Sequence, residues 1–135
     1  MIAQPTTEQL IEAVRLDLRE RVAPCVSDAT ARAVLEMSIA VLGSAAVRSA
    51  HELDWMLEEI EAIEARAGEP GEGPPVDVTA VRARYARASE LLARLADAAY
   101  DADDADAIAG VWALLEQRRE HQNLVTGGYT AVGRA

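Results

Sequence analysis

The sequence predicts an all-α fold, and three features of its 135 residues support this. Half of the residues are hydrophobic, yet only 4% are aromatic and none is phenylalanine. Strands favour alternating β-branched and aromatic residues, and the chain shows no convincing run of that kind. Apolar residues instead recur at intervals of three and four, which is typical of helices that bury one face. Residues 68–75 hold three glycines and three prolines, so this segment cannot be helical.

The longest apolar pattern runs from Ala29 to Ala67 without a proline. Its stripe combines two heptad series, which predicts a helix that meets its partners at a shallow angle. The series are Ile39, Ala46, Leu53, Ile60, Ala67 and Leu35, Leu42, Ser49, Met56, Ile63. The small residues at 43–46 allow two interpretations: a bend near Gly43, or a flat patch where another helix comes close.

The remaining elements complete an antiparallel, up-down arrangement of four helices, at about 7–22, 28–67, 78–100 and 103–123. Thr6 and Gln9 have the spacing of a capping box, and Pro24 ends the first helix. Ser27 or Asp28 is expected to cap the second helix and Asp77 or Thr79 the third. Residues 1–135 are predicted to form a single helical domain, with a Pro/Gly loop at 68–77 and a loose tail at 127–135.

A short connection between the first two helices predicts which residues face each other. Leu10 should meet Val41, and Val14 should meet Met37. The same reasoning places Arg84 of the third helix near Glu61. In the fourth helix, the residues expected to face inward are Ile108, Val111, Trp112 and Leu115.

Composition excludes several classes of function. The formal charge is −10, and all 13 basic residues are arginines, so Schiff-base chemistry and phosphate-loop lysines are absent. The acidic balance argues against nucleic acid and anionic membranes as partners. Cys25 is the one cysteine, which fits a reducing compartment. The N-terminal residues lack a signal-peptide pattern, and the longest uncharged run in the apolar region, 37–47, is short for a membrane span. We therefore expect a soluble, cytoplasmic protein.

Residues 33–47 predict self-association. Nearly every position there is apolar or small, and a helix that is apolar on all sides must be covered on all sides. A single helical hairpin cannot do this, and two-fold dimers are the commonest soluble assemblies. We therefore expect a homodimer whose shared core comprises residues 7–47. Its predicted interface residues are Val34, Met37, Val41, Leu42 and Ala45.

No catalytic, cofactor-binding or metal-binding residue is predicted. A di-metal bundle needs Glu-x-x-His, but arginines stand three residues before His51 and His121. The aspartates of 101–106 lack the glycine and glutamate of a calcium loop, and we expect them to cap a helix. Glu58, Glu61 and Glu64, paired with Asp101 and Asp104, faintly resemble the magnesium site of all-α nucleotide pyrophosphohydrolases, although we expect the glutamates to form a solvated face.

Residues 4–24, which read QPTTEQLIEAVR and continue to Val22-Ala23-Pro24, resemble the start of an uncharacterised family of small all-helical bacterial proteins. Its members are often encoded beside aminoglycoside-phosphotransferase-like kinases and acyl-CoA dehydrogenases. The family has no established activity, so the resemblance implies no site residues. It implies an accessory role beside a kinase-like or acyl-CoA enzyme, which would then be a partner.

Three functions are therefore considered. The first is a non-enzymatic helical interaction module or accessory subunit that self-associates through residues 7–47. The alternative is a binder of a small apolar or acyl ligand between helices two to four, with a pocket near Trp55, Met56 and Trp112. The third is a magnesium-dependent hydrolase that uses the Glu and Asp clusters.

Overall fold

The computed structural model describes residues 4–69, 71, 73 and 75–127. Four α-helices account for most of this part of the chain, which contains no strand. They are α1 (Thr7–Asp17), α2 (Ala29–Ala67), α3 (Val78–Asp101) and α4 (Ala105–Thr126). A π-helical turn, Leu18–Val22, and a short 3₁₀ turn, Ala23–Cys25, extend α1 toward α2. The all-α prediction is confirmed. The loose tail predicted at 127–135 lies, after Gly127, outside the described residues.

Each helix begins at a polar side chain that satisfies its first amides. Thr6 and Gln9 form the predicted capping box, with the Thr6 amide donating to Gln9 Oε1 at 2.9 Å and the Gln9 amide donating to Thr6 Oγ1 at 3.3 Å. Asp28 accepts from the Ala31 amide at 2.7 Å, and Asp77 accepts from the Ala80 amide at 2.8 Å. Asp28 therefore caps α2 rather than Ser27, and Asp77 caps α3 rather than Thr79.

The chain divides into two compact units. Unit 1 comprises Met1–Glu52 and Gln122–Ala135, and unit 2 comprises Leu53–His121. Both α2 and α4 contribute residues to each unit. The single helical domain at 1–135 stays a prediction.

The core of unit 2 joins residues of three helices. Ile60 and Ile63 of α2 are the most completely buried side chains, at 0% and 1% exposed. Burial of this apolar surface is the main stabilising contribution to the unit. The rest of the core comes from α3 and α4: Val81, Ala88, Leu91, Leu92 and Val111.

The inward face of α4 differs from the prediction. Val111 is buried, but Trp112 is 58% exposed and Leu115 is 38% exposed. The inward positions instead follow the spacing 3-4-3-4 through Val111, Leu114, Arg118, His121 and Val125, each of which is buried or half-buried. The prediction for Trp112 and Leu115 was wrong because the inward stripe of α4 includes two polar residues, Arg118 and His121. The apolar residues alone therefore indicate a different face.

In unit 1, α2 is helical without a break through Gly43 and Ser44. The Arg15 side chain of α1 passes close to Gly43, where a Cβ atom would lie 3.5 Å from Arg15 Cδ. The buried Ser44 hydroxyl donates to the Val125 carbonyl of α4 at 2.8 Å. The small residues therefore allow other segments to approach α2 closely, which is the second of the two interpretations.

The predicted pairing of α1 with α2 is not a buried one. Leu10, Val14, Met37 and Val41 are each at least half exposed, from 50% to 60%. The approach of Arg15 to Gly43 indicates a register in which α1 lies further along α2 than its short connection suggests. The π-helical and 3₁₀ turns at 18–25 lengthen the connection between α1 and α2.

By length and composition, α2 could also cross a membrane. It contains an 18-residue window of mean hydropathy 1.4, of which 22% is buried. This window is longer than the uncharged run 37–47 and therefore includes charged residues. Core helices of soluble proteins can have the same length and composition, so the cytoplasmic location stays a prediction.

Candidate functional site

A buried carboxylate, Glu59, lies at the centre of the main polar cluster of unit 2. Glu59 lies in α2 beside Ile60, and its side chain is 6% exposed. Its Oε2 accepts from the Tyr85 hydroxyl at 2.7 Å and from Arg118 Nε at 2.9 Å, while Oε1 lies 2.9 Å from His121 Nδ1. One side chain of α2 thus binds one of α3 and two of α4. We call Glu59, Tyr85, Arg118 and His121 the Glu59 cluster.

Aromatic and polar neighbours hold the Glu59 cluster in place. The His121 ring stacks on Trp55, with centroids 4.8 Å apart and an interplanar angle of 8°. The Arg118 guanidinium lies 5.0 Å from the centroid of the Tyr85 ring, within the range of a cation–π contact. Its Nη2 also donates to Ser89 Oγ at 3.1 Å. The position of each donor is therefore fixed by a second contact.

The charge state of Glu59 follows from these contacts. Burial alone would raise the pKa of this carboxyl, but the hydrogen bonds from His121, Tyr85 and Arg118 hold its pKa below the ordinary value. An ionised carboxylate can only accept hydrogen bonds, so His121 Nδ1 must carry a proton. For Tyr85, burial and the neighbouring Glu59 raise the pKa to about 12.

A histidine oriented by a carboxylate is also a component of general-base sites. In the Glu59 cluster, however, the carboxylate binds Arg118 and Tyr85 as well. The neighbouring hydroxyl of Ser89 donates to the Tyr85 carbonyl at 2.9 Å and accepts from Arg118 Nη2. The arrangement joins three helices through one buried carboxylate whose hydrogen bonds are satisfied.

The raised pKa of Tyr85 predicts a loss of stability at alkaline pH. A tyrosine in an unfolded chain has a pKa of about 10, so Tyr85 stabilises the fold below pH 10 and this contribution is lost as the pH rises toward 12. The chain has no lysine to titrate in the same window. We expect Tyr85→Phe to flatten this decline, measured by urea unfolding at several pH values. Tyr100→Phe, at an exposed position, should keep it; equal curves for both variants would contradict the assignment.

A cleft of about 510 Å³ lies beside the end of α2 and the following loop. Arg84, 8% exposed, binds Glu64 through two hydrogen bonds, Nε to Oε1 at 2.8 Å and Nη2 to Oε2 at 2.6 Å. Nη1 of Arg84 also donates to the Gly73 carbonyl at 3.2 Å. The predicted partner of Arg84 was Glu61, one turn earlier on α2. A Cβ atom on Gly71 would lie 3.1 Å from Arg84 Nη2 and 3.3 Å from Glu64 Oε2, so a larger residue there would require this ion pair to shift by a few tenths of an ångström.

The glutamates of this cleft do not form a metal site. Glu61, Glu64 and Glu69 line it, but no three Asp, Glu, His or Cys side chains within the described ranges are placed to hold a metal ion. Among 101–106, Asp104 caps α4 by accepting from the amides of Asp106 and Ala107, both at 3.0 Å. The capping role expected for these aspartates is thus confirmed for Asp104.

The structure separates the tryptophans that were predicted to line an apolar pocket. Trp55 stacks on His121, and Met56 packs against the core of unit 2. Trp112 lies on the surface, where its indole N–H donates to the Tyr100 hydroxyl at 3.1 Å. The pocket residues are therefore engaged with different partners, and a ligand site formed by all three stays a prediction.

The predicted dimer residues lie mainly on the surface of unit 1. Val34, Met37 and Val41 are 59%, 60% and 50% exposed, and their spacing places them on one face of α2. Leu42 and Ala45 are half-buried. We call Val34, Met37 and Val41 the α2 stripe. Leu10 and Val14, one turn apart on α1, form a second exposed apolar pair, the α1 pair.

The comparisons with known proteins gave no match to a protein-family model, to a curated protein or to a solved structure. The resemblance drawn from residues 4–24 therefore stays a prediction.

Proposed function

We propose that this protein is a non-enzymatic helical interaction module that self-associates through residues 7–47. The observation that carries the proposal is the α2 stripe. Three large apolar side chains, each at least half exposed, lie on one helix face, and a contiguous exposed apolar patch of this kind often marks an interaction site. The α1 pair adds two more side chains of the same kind in unit 1.

The size of this surface suggests a dimer of moderate affinity. Covering a half-exposed aliphatic side chain contributes about 1 kcal/mol, so the α2 stripe and the α1 pair of two copies would contribute about 10 kcal/mol. Association costs roughly 4–15 kcal/mol in lost motion. Contacts from flanking residues such as Leu42 and Ala45 must therefore supplement the stripe. We expect a dimer that dissociates on dilution through the micromolar range.

Sedimentation equilibrium of wild type and Met37→Glu tests the proposal. The wild-type chain should sediment as a dimer at micromolar concentrations. Met37→Glu places a charge at the centre of the α2 stripe, and we expect it to weaken the dimer by at least about 100-fold, because a carboxylate buried without a partner costs several kcal/mol.

Ala83→Glu is the matched control, because it adds the same charge at an exposed position of α3 in unit 2 and should leave the dimer intact. Circular dichroism establishes that both variants are helical. A wild-type monomer throughout the concentration range would overturn the proposal. So would a monomer that sediments with neutral phospholipid vesicles, because the stripe would then face lipid.

A further inference from the structure

An exposed aromatic pair on unit 2 forms a surface that the proposed function does not use. Trp112 of α4 is 58% exposed and Tyr100 of α3 is 57% exposed. The hydrogen bond from Trp112 Nε1 to the Tyr100 hydroxyl, 3.1 Å long, joins the two side chains. The chain has two tryptophans and three tyrosines in all. We call Trp112 and Tyr100 the aromatic pair.

The segment between Arg94 and Arg118, which contains the aromatic pair, carries only negative charge. Residues 95–117 contain five aspartates and one glutamate, giving a formal charge of −6, and no arginine. Asp97 lies one turn before Tyr100, and Asp101 follows it directly; both are exposed. Glu116 lies one turn after Trp112 and binds Arg119. The aromatic pair thus lies beside the exposed carboxylates of Asp97 and Asp101.

Asp104 and Arg66 lie near the start of α4 and have contacts outside the aromatic pair. Asp104 is the cap of α4. Arg66 reaches α4 at the Asp106 carbonyl, 3.1 Å away, and its guanidinium lies over Gly110. Helical spacing places Asp106 and Gly110 well over 100° around α4 from Trp112. The Arg66 cation therefore lies away from the aromatic pair.

We propose that the aromatic pair and the carboxylates of Asp97 and Asp101 form a docking surface for an arginine-rich helix of a partner protein. Arginine matches both halves of this surface. Its planar guanidinium stacks on an indole face, and it binds a carboxylate through two parallel hydrogen bonds. Charge complementarity selects a cationic partner, and the Trp112–Tyr100 hydrogen bond fixes the platform before binding, which lowers the entropic cost of association.

The shape of the partner follows from the spacing of these groups. Tyr100 and Asp97 are one turn apart on α3, while Trp112 belongs to α4. A helix that places arginines one turn apart can therefore contact the indole with one side chain and a carboxylate with the next. Tryptophan, tyrosine and arginine are the residues most enriched at the energetically dominant positions of interfaces. Nucleic acid is disfavoured here, since phosphates would meet these carboxylates.

A synthetic amphipathic helix with arginines and leucines at helical spacing is the probe. Labelled peptide is titrated with the full-length protein at low and physiological salt, and binding is followed by fluorescence anisotropy. We expect saturable binding at one site, weakened at least about tenfold by Trp112→Ala. Trp112→Phe keeps an aromatic face and should recover part of the affinity. Circular dichroism confirms that the variants are folded.

Charge-matched variants separate docking from attraction to an acidic protein. Asp97→Asn with Asp101→Asn removes two charges beside the aromatic pair and should weaken binding more than threefold. Glu8→Gln with Glu20→Gln removes two exposed charges from unit 1 and should change it less than about twofold, because distant surface charges are screened by salt. Equal effects of the two double variants, or binding that does not saturate, would overturn the proposal.

The same samples distinguish this surface from the proposed self-association. Trp112→Ala should leave the sedimentation of the protein unchanged, and Met37→Glu should leave peptide binding unchanged. If Trp112→Ala instead dissociates the protein, the aromatic pair is covered by a second copy of this chain and the inference of a cationic partner is wrong.

Discussion

Glu59→Gln is expected to lower the free energy of unfolding by about 3 kcal/mol, since removing one partner of a buried ion pair typically costs 3–5 kcal/mol. Glu59 serves three donors at once, from Tyr85, Arg118 and His121. Glutamine keeps the shape of the side chain but loses the charge, and its amide nitrogen would face donors. We place the effect at the lower end of that range because Arg118 is 31% exposed and water can partly replace its lost partner.

Urea unfolding at neutral pH measures this loss, and Glu58→Gln is the matched control. Glu58 is the preceding residue of α2 and is exposed, so its substitution should change stability by less than about 0.5 kcal/mol. A second readout is pH. Because the folded-state pKa of Glu59 is lowered, its stabilising contribution is present above about pH 4.3 and is lost as the pH falls below that value. Glu59→Gln should weaken this acid dependence; an unchanged acid limb would contradict the assignment.

The Glu59 cluster shows why part of this site was missed from the sequence. The stripe through Val111, Leu114, Arg118, His121 and Val125 has perfect helical spacing, but a search for apolar residues alone passes over its two polar members. Those members face inward because Glu59 satisfies them, and Glu59 is distant in sequence. Helical spacing that includes an arginine and a histidine was the available signal, together with an acid near the core stripe of a facing helix.

Local features were easier to predict than the pairing of helices. The capping residues and the course of α2 depend on neighbouring residues, and the sequence indicates them well. The position of α1 along α2 depends on the length of the connection. In this connection, a π-helical turn at 18–22 and a 3₁₀ turn at 23–25 follow α1. Helical structure therefore includes Pro24, which was expected to end the first helix. The shifted register leaves the α2 stripe exposed.

A final prediction concerns two residues that the sequence makes equivalent. Leu53 and Ile60 occupy successive positions of the same heptad series of α2, so the sequence alone assigns them similar importance. In the structure, Ile60 is 0% exposed in the core of unit 2, whereas Leu53 is 38% exposed. Ile60→Ala removes three carbon atoms from a closed core, and we expect it to lower the free energy of unfolding by about 3–4 kcal/mol.

Leu53→Ala should cost less than about 1 kcal/mol, because truncating a partly exposed side chain opens no closed cavity and forfeits only part of its transfer free energy. Urea unfolding of both variants at low and high protein concentration measures the two losses in unfolding free energy. A loss for Leu53→Ala as large as that for Ile60→Ala at both concentrations would show that Leu53 is covered within one chain, contrary to its exposure. A loss at Leu53 that grows with concentration would extend the proposed dimer contact from the α2 stripe beyond residue 47, because only an assembled partner can add buried surface as the concentration rises.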